Sequence, residues 1–368
     1  MFKKIKGQDR VIDLLKMAIK QDRIASSYLF YGPEGVGKFT TALYFGMALN
    51  CLASIESRPC GVCNSCKKFL KFSHPDFVYI FPTPNMKITA NGEIESNKLL
   101  KEYQEYVINK IESPWKEFFF SQNVQIRIDN ILMLEHHINL STHESKYKIY
   151  IIENADQINV NAANAFLKTL EEPPDNSVII LTTSKVNSLL PTILSRCQKI
   201  SFSYINRHDI EILLEKTTYI SPIDAKMFSR ISNGNVEKAL RLANEGSTIS
   251  RDEAIKLIKI FLQANDYAFL EYLGNYSSSK NRKLLSEIIS HLIIWLSDLI
   301  YFLYEPEQIV NLDHTDILEE LYHKNPYVND YVNETISFFE IMQKKLDGFV
   351  NPQLILTGVY NRLKKIYA

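Results

Sequence analysis

The sequence predicts an α/β domain built on a parallel sheet, followed by segments that are entirely helical. Short apolar runs alternate with helical patterns through the first 200 residues or so, as they do in doubly wound α/β domains. A glycine-rich turn follows the first of these runs. After Phe202 the strand-like runs stop. The chain has 368 residues, which is more than one compact core normally holds, so we expect two or three domains.

Four segments are predicted to be strands of the sheet. Each is short, continuous and rich in β-branched or aromatic residues, which is typical of strands that are buried on both faces. They are residues 28–31, 77–81, 148–152 and 177–181. A helix is predicted from about Lys38 to Asn50, directly after the glycine-rich turn.

The domain organisation follows from where the strand and helix patterns change. We predict an α/β domain over residues 1–203, a small helical lid over 204–247 and an all-helical C-terminal domain over 248–368. Glycine and proline break the helical patterns near Gly234, 274–279, Pro306 and Pro326. Two segments interrupt the α/β alternation. One is a cysteine module at 51–66, and the other is an insertion at 82–122 that is helical from Asn97 and has no predicted role.

Composition and charge restrict the class of protein. Hydrophobic residues make up 46% and charged residues 23%, and 42 basic side chains balance 42 acidic ones. Contact with nucleic acid would therefore need a local patch or a larger assembly. Residues 284–304 are the most apolar stretch, but they carry charged residues and repeat at helical spacing, which favours a buried helix over a membrane span. No apolar run follows the N-terminal charges, so we expect a cytoplasmic protein.

The glycine-rich turn has the pattern of a phosphate-binding loop. Residues 32–38 read GPEGVGK between a predicted strand and a predicted helix. In such loops backbone N–H groups and the lysine bind phosphates; the alternative is a turn that binds nothing. The next residue is normally Ser or Thr, which holds Mg²⁺, but here it is Phe39. Thr40 lies about 100° further around the helix, so we expect impaired metal-assisted hydrolysis.

A second acidic motif follows the strand at 148–152. Glu153 occupies the position of a metal-positioning carboxylate, and Asn154 the position of a residue that activates water. An amide can orient water but cannot accept its proton. Taken alone, the segment could also be an ordinary buried strand with a polar end. The candidate nucleotide-binding residues of this degenerate site are Gly32, Gly35, Gly37, Lys38, Thr40 and Glu153.

Four cysteines form a candidate metal site. Cys51, Cys60, Cys63 and Cys66 have the spacing C-x₈-C-x₂-C-x₂-C, and four thiolates around Zn²⁺ give a closed, structural tetrahedral site. An iron–sulfur cluster uses similar spacing, and free thiols are a further alternative. Cys197 lies outside this group.

Several motifs together resemble those of the AAA+ subunits of bacterial DNA polymerase III clamp loaders. The run AANAFLKTLEEPP from Ala162 to Pro174 resembles their helix-and-turn signature, and LSRC at 194–197 resembles their Ser-Arg-Cys motif. Matching motifs also occur at 7–8, 74–76 and 351–354, so the resemblance spans nearly the whole chain in order. It implies an AAA+ P-loop domain with an inserted zinc module, a helical lid and a helical collar for ring assembly.

Three departures make the chain look like the delta-prime kind of subunit rather than the ATP-hydrolysing tau/gamma kind. They are Phe39, the pair Glu153–Asn154, and Glu237 at the position of a lid arginine. The resemblance implies a ring with tau/gamma and delta subunits that opens the sliding clamp and places it on primed DNA. It also implies that Arg196 acts in trans as an arginine finger on a neighbour's ATP; the alternative for Arg196 is a surface ion pair. Thr182 and Thr183 lie near the usual sensor position.

Two other functions remain open at the level of sequence. The first is an active ATPase motor subunit of the same ring, which steady ATP turnover by the isolated chain would select. The second is a stand-alone zinc-containing nucleic-acid-binding protein. The absence of a basic run disfavours the second, and tight, salt-sensitive DNA binding by the chain alone would favour it.

Overall fold

The first part of the chain contains a sheet of five parallel strands. The computed structural model describes residues 1–86, 96–114, 118, 120–245, 248–277, 281–325, 327, 329–346 and 350–367. The strands are β1 (Ser27–Tyr31), β2 (Phe77–Ile80), β3 (Lys148–Ile152), β4 (Ser177–Thr183) and β5 (Gln198–Ser201). They lie in the order β2-β3-β4-β1-β5, and every neighbouring pair is parallel. The predicted α/β class with a P-loop and a parallel sheet is confirmed.

Helices cover both faces of this sheet. They are α1 (Asp9–Lys20), α2 (Lys38–Leu49), α3 (Asn64–Leu70), α4 (Asn97–Glu112), α5 (Ile128–Ile138), α6 (Val160–Glu171) and α7 (Pro191–Leu194). On one face α2 approaches β3 so closely that a Cβ on Gly46 would lie 2.7 Å from Ile149 Cγ2. On the other face α5 and α6 pack Ile131 and Phe166 into a core with Tyr150. Because the strands are parallel, the carboxyl ends of β1, β3 and β4 lie at the same edge of the sheet. α/β sheets usually bind ligands at this edge.

The regular elements described after β5 are all helices, as predicted. Its helices are α8 (Arg207–Thr217), α9 (Pro222–Ser232), α10 (Val236–Glu245), α11 (Thr248–Leu262), α12 (Asp266–Gly274), α13 (Arg282–Tyr304), α14 (Thr315–Lys324), α15 (Asn329–Leu346) and α16 (Pro352–Tyr367). The chain forms two compact units, Met1–Leu213 with Asn233–Arg241, and Leu214–Ser232 with Leu242–Ala368. The predicted lid boundary at 247, the break at Pro326 and parts of the 82–122 insertion lie outside the described residues.

Helix α13 forms the centre of the helical core. Its stretch Leu284–Tyr304 is long and apolar enough to cross a membrane. The apolar residues that repeat at helical spacing are buried in the core of the second unit; they are Leu285, Ile288, Ile289, Leu292, Leu296 and Leu299. The prediction that this stretch is a buried amphipathic helix is confirmed.

Asp298 is a buried carboxylate on α13, and its removal should destabilise the second unit. It accepts hydrogen bonds from the backbone N–H groups of Val310 at 3.0 Å and Asn311 at 2.9 Å, and Arg230 Nη1 lies 3.4 Å away. Asp298→Ala leaves these buried donors without their acceptor, so we expect a loss of about 3 kcal/mol in the free energy of unfolding. Urea denaturation measures the change. Glu320→Ala, at an exposed site on α14, is the control, and equal stability of the two variants would contradict the expectation.

Candidate functional site

The loop between β1 and α2 has the backbone geometry of a phosphate-binding turn. Gly35 and Gly37 have φ values of +67° and +86°, a region in which glycine is favoured. Lys38 Nζ donates to the carbonyls of Gly32, at 2.9 Å, and of Pro33. Burial lowers the pKa of Lys38, and the carboxylates of Glu237 and Glu34 oppose that shift. The loop thus presents glycine backbone and a partly buried cation at the edge of the sheet.

A pocket of about 280 Å³ lies beside this loop. Its lining comes from the loop, from the ends of β3 and β4, and from helices α4 and α10. The lining residues are Glu34, Gly35, Gly37, Lys38, Phe39, Tyr106, Lys110, Pro114, Glu153, Asn154, Thr182, Ser184, Asn235, Glu237, Lys238 and Arg241. Four of the six predicted nucleotide-binding residues are among them. Gly32 and Thr40 lie outside the lining. The carbonyl of Gly32 accepts a hydrogen bond from Lys38 Nζ.

Phe39 is part of an aromatic cluster rather than a polar site. The side chain is 6% exposed, and its ring centroid lies 5.0 Å from that of Tyr79 and 6.0 Å from that of Phe72. Phe39 brings no hydroxyl to the metal-binding position of the P-loop. The sequence-based expectation that this position lacks a metal ligand therefore agrees with the packing.

Glu153, at the end of β3, is fully engaged by neighbouring donors. Its Oε1 accepts from Lys110 Nζ at 2.8 Å. Its Oε2 accepts from the hydroxyl of Tyr79 and from that of Tyr106 at 3.4 Å. Burial and the adjacent carboxylate raise the pKa of Tyr79, so the phenol stays a donor. The carboxylate that would position Mg²⁺ in an active ATPase is instead held by an ammonium and two phenols.

Lys110 reaches this site from the insertion whose role the sequence left open. It lies on α4, and its side chain is 11% exposed. Burial opposes its charged form, but Glu153 and Tyr106 raise the pKa of Lys110 above its ordinary value. Its Nζ also lies 4.4 Å from the centre of the Phe39 ring, a cation–π distance. Sequence reasoning missed Lys110 because no motif links it to residues 39 and 153.

Helix α10 closes another side of the pocket. The backbone N–H of Val236 donates to the Gly35 carbonyl at 2.8 Å, and a Cβ on Gly35 would lie 1.8 Å from Asn235 Oδ1. Glu237 lines the pocket, and burial raises its pKa. Arg241, one helical turn later, is 7% exposed and lines the same pocket. The residue that the resemblance places at a lid arginine position, Glu237, is thus an acidic residue of the pocket, and a cation that we did not predict lies one turn away.

Two threonines end β4 beside the pocket. Thr182 is buried and lines the pocket. Thr183 Oγ1 donates to Asp156 Oδ1 at 2.6 Å. Thr182 is thus the member of the pair that faces the pocket, whereas Thr183 ties β4 to the turn after β3.

Arg196 lies at the end of α7, away from the pocket. Its Nη1 donates to the Thr192 carbonyl at 2.8 Å, and its Nη2 pairs with the carboxylate of Glu171. The Arg196 side chain is 29% exposed and that of Glu171 is 51% exposed. In the isolated chain Arg196 therefore makes a surface ion pair, the alternative considered from the sequence, and its guanidinium remains accessible to a neighbour.

The four predicted cysteines lie together. The sulfur atoms of Cys51, Cys60, Cys63 and Cys66 are all within 4.8 Å of one another. The Sγ atoms of Cys51 and Cys63 are 4.0 Å apart, and so are those of Cys60 and Cys66. Tetrahedral Zn²⁺ with Zn–S bonds of about 2.3 Å requires sulfur separations of about 3.8 Å. The donor set therefore fits a tetrahedral metal ion.

Backbone amides support this cluster. Cys60 Sγ accepts from the N–H groups of Cys63 at 3.3 Å and Val62 at 3.4 Å, and these bonds lower the pKa of Cys60 to about 6. Cys63 precedes the first residue of α3, and its Sγ accepts from the N–H of Cys66 at 3.5 Å. Amide donors of this kind stabilise thiolates, which are the form that binds metal.

Comparisons with known proteins identify subunits of DNA polymerase III to which this chain is similar. Bacillus subtilis DNA polymerase III subunit delta' is 31% identical over 263 residues, which are 71% of this chain and 67% of that protein. The tau subunit of the same organism is 26% identical over 296 residues, or 79% of this chain but 45% of its own length. The match to a structure of a gamma-subunit-related protein from Thermotoga maritima covers 97% of this chain and 99% of that protein's chain. The sequence identity is 16% and the TM-score is 0.42.

A family model provides the assignment. The family described as DNA polymerase III, delta subunit, matches residues 7–206, more than half of the 368 residues. This range contains the P-loop, the cysteine cluster, Glu153 and Arg196. The chain therefore belongs to the DNA polymerase III delta-subunit family.

Proposed function

We propose that the chain is a delta-prime-type subunit of a bacterial clamp loader, which helps to place the sliding clamp on primed DNA. The observation that carries this proposal is that the chain belongs to a family of DNA polymerase III subunits, while the metal-binding positions of its own nucleotide site are lost or already bonded. Glu153 is bonded to Lys110, and Phe39 replaces the metal-binding hydroxyl. A chain of this family with such a site serves the ring as a scaffold and as a contributor to a neighbour's site.

The partners of this proposed subunit are the tau/gamma and delta subunits, the sliding clamp, and primed DNA through the assembled complex. The proposed domains are the P-loop domain at 1–203, the lid at 204–247 and the collar at 248–368. We propose that the protein is cytoplasmic.

Purification of the chain from its native cell tests the proposal directly. Co-purification of tau/gamma and delta supports it, whereas purification alone with tight, salt-sensitive DNA binding would favour a stand-alone nucleic-acid-binding protein.

The cysteine cluster is proposed to hold one structural Zn²⁺ per chain. Four thiolates around one ion leave no open coordination position, so the metal would stabilise residues 51–66 and take no part in a reaction. Arg58, Lys67, Lys68 and Lys71 lie near these cysteines in the sequence. Lys68 pairs with Glu144 at 2.6 Å, so the other three are proposed to offset the negative charge of such a centre.

The isolated chain is expected to show no ATP hydrolysis above background. Phe39 supplies no metal ligand, Glu153 is occupied, and Asn154 cannot act as a general base, a role worth about 10²–10⁴-fold in rate. Phosphate release measured on the purified protein, with Lys38→Ala as the matched control, tests this expectation. Turnover comparable to that of an ordinary AAA+ subunit, and abolished by Lys38→Ala, would establish the motor-subunit alternative instead.

A further inference from the structure

The divalent-cation position of the P-loop pocket does not fit Mg²⁺ in this chain. In P-loop enzymes Mg²⁺ is held by the hydroxyl after the P-loop lysine and by a carboxylate at the end of a neighbouring strand. Here those two positions are Phe39 and Glu153. The first has no ligand atom, and the oxygens of the second accept hydrogen bonds from Lys110, Tyr79 and Tyr106.

The ammonium of Lys110 lies between these two positions. It is 2.8 Å from Glu153 Oε1 and 4.4 Å from the centre of the Phe39 ring. It also lines the same pocket as Lys38. An ammonium has three N–H donors, so Lys110 can hold Glu153 with one and meet a phosphate oxygen with another. A positive charge is thus fixed where a metal ion would otherwise join the carboxylate to the nucleotide.

The charge of the whole lining suits a polyphosphate. Three further cations line the pocket, namely Lys38, Lys238 and Arg241. The lining also holds three carboxylates, namely Glu34, Glu153 and Glu237, so its four cations outnumber them by one. Glu153 is paired with Lys110, and burial raises the pKa of Glu237. At Gly37 nothing lies within 4 Å of the position that a Cβ would occupy, and such open backbone is what close approach of phosphate requires.

We propose that Lys110 takes the place of the divalent cation, so that this pocket binds a nucleoside di- or triphosphate without Mg²⁺. The bound nucleotide is then a structural ligand rather than a substrate, because Phe39 supplies no metal ligand and Asn154 cannot act as a base. This inference extends the proposed non-hydrolysing role by naming the ligand of the chain's own site.

Calorimetric titration of the wild-type chain with ADP tests the proposal first. We expect the same Kd in excess EDTA and in millimolar Mg²⁺, within about twofold. Lys38→Ala should abolish binding in both buffers, which assigns the signal to this pocket. A Kd that tightens about tenfold or more with Mg²⁺, or no ADP binding in either buffer, overturns the proposal.

Variants of Lys110 test the residue itself. Lys110→Met should weaken ADP binding in EDTA about 10- to 100-fold, the effect of losing a charge-assisted hydrogen bond. Added Mg²⁺ should recover part of this loss, because Glu153 Oε1 loses its ammonium partner and becomes available to the ion. Lys110→Met with Glu153→Gln leaves no buried carboxylate without a partner; it should show the same loss without the response to Mg²⁺.

A matched control separates this effect from damage to α4. Lys101 is an exposed lysine on the same helix, and Lys101→Met should bind ADP like the wild type. Circular dichroism checks that each variant is folded, and wild-type binding by Lys110→Met would overturn the proposal. Co-purification with tau/gamma is measured in parallel. If the wild-type chain co-purifies with tau/gamma but does not bind ADP, the inference is wrong while the subunit assignment stands.

Discussion

Arg196→Ala should lower the DNA-stimulated ATPase of the assembled clamp loader, with the neighbouring subunit's site losing about 10³-fold or more in hydrolysis rate. Charge accumulates on the transferred phosphoryl group, and a guanidinium from an adjacent chain stabilises it. The planar, permanently charged fork of arginine is better suited to this than an ammonium, so Arg196→Lys should restore little activity. Steady-state ATPase and clamp-loading assays on the reconstituted ring measure both variants.

The pairing of Arg196 with Glu171 does not prevent such a role. Both side chains are partly exposed, and exposed ion pairs contribute about 0–1 kcal/mol, so exchange of Glu171 for a phosphate costs little. Glu171→Gln should therefore leave the ring ATPase close to that of the wild type. Lys199→Ala removes an exposed cation three residues after Arg196, and this variant is the matched surface control. Loss of clamp loading in Lys38→Ala with a silent Arg196→Ala would reject the delta-prime assignment.

Loss of the proposed metal should have the second large effect, because it removes the bonds that organise residues 51–66. In small zinc peptides, metal binding contributes on the order of 10 kcal/mol to the free energy of folding. Here we expect the metal to stabilise residues 51–66 rather than the whole chain. We expect Cys63→Ser to lower the metal content well below one ion per chain and to lower the thermal midpoint. Elemental analysis and thermal unfolding of the purified variant measure the two effects.

Cys197 provides the matched control for the metal site. It is a buried cysteine that lies outside the cluster of four, so Cys197→Ser should retain a full complement of zinc. Iron with sulfide in the wild-type protein would indicate a cluster of a different kind, and no metal in the wild type would show that the four cysteines are free thiols.

The predictable parts of the site are those encoded in short, local patterns. Residues 32–38 fix a glycine turn between a strand and a helix, and the observed α2 begins at Lys38 as predicted. The four cysteines lie within sixteen residues at a spacing typical of metal sites, and the observed sulfur cluster agrees with that local pattern. Phe39 and Glu153 could be compared with P-loop positions because each has a fixed place relative to a strand end.

The features that were not predicted depend on contacts distant in sequence or on weak local signals. Lys110 lies 43 residues before Glu153, and nothing in the pattern of α4 distinguishes it from a solvated lysine. Strand β5 reads Gln-Lys-Ile-Ser and is exposed at three of four positions, because it lies at the edge of the sheet. Only pairing with β1 identifies such a segment as a strand.

The contacts of Lys110 with Glu153 and Phe39 also determine how many substitutions a metal-binding version of this site would require. Replacing Lys110 alone leaves Glu153 buried without its cation, a change that typically costs 3–5 kcal/mol. Replacing Phe39 by a small hydroxyl residue alone opens a cavity in the aromatic cluster, at about 3–5 kcal/mol. Each of these costs is a large fraction of the free energy of unfolding of a typical protein, which is roughly 5–15 kcal/mol. A metal-binding site at this position would therefore require several coordinated substitutions, because each change alone is strongly destabilising.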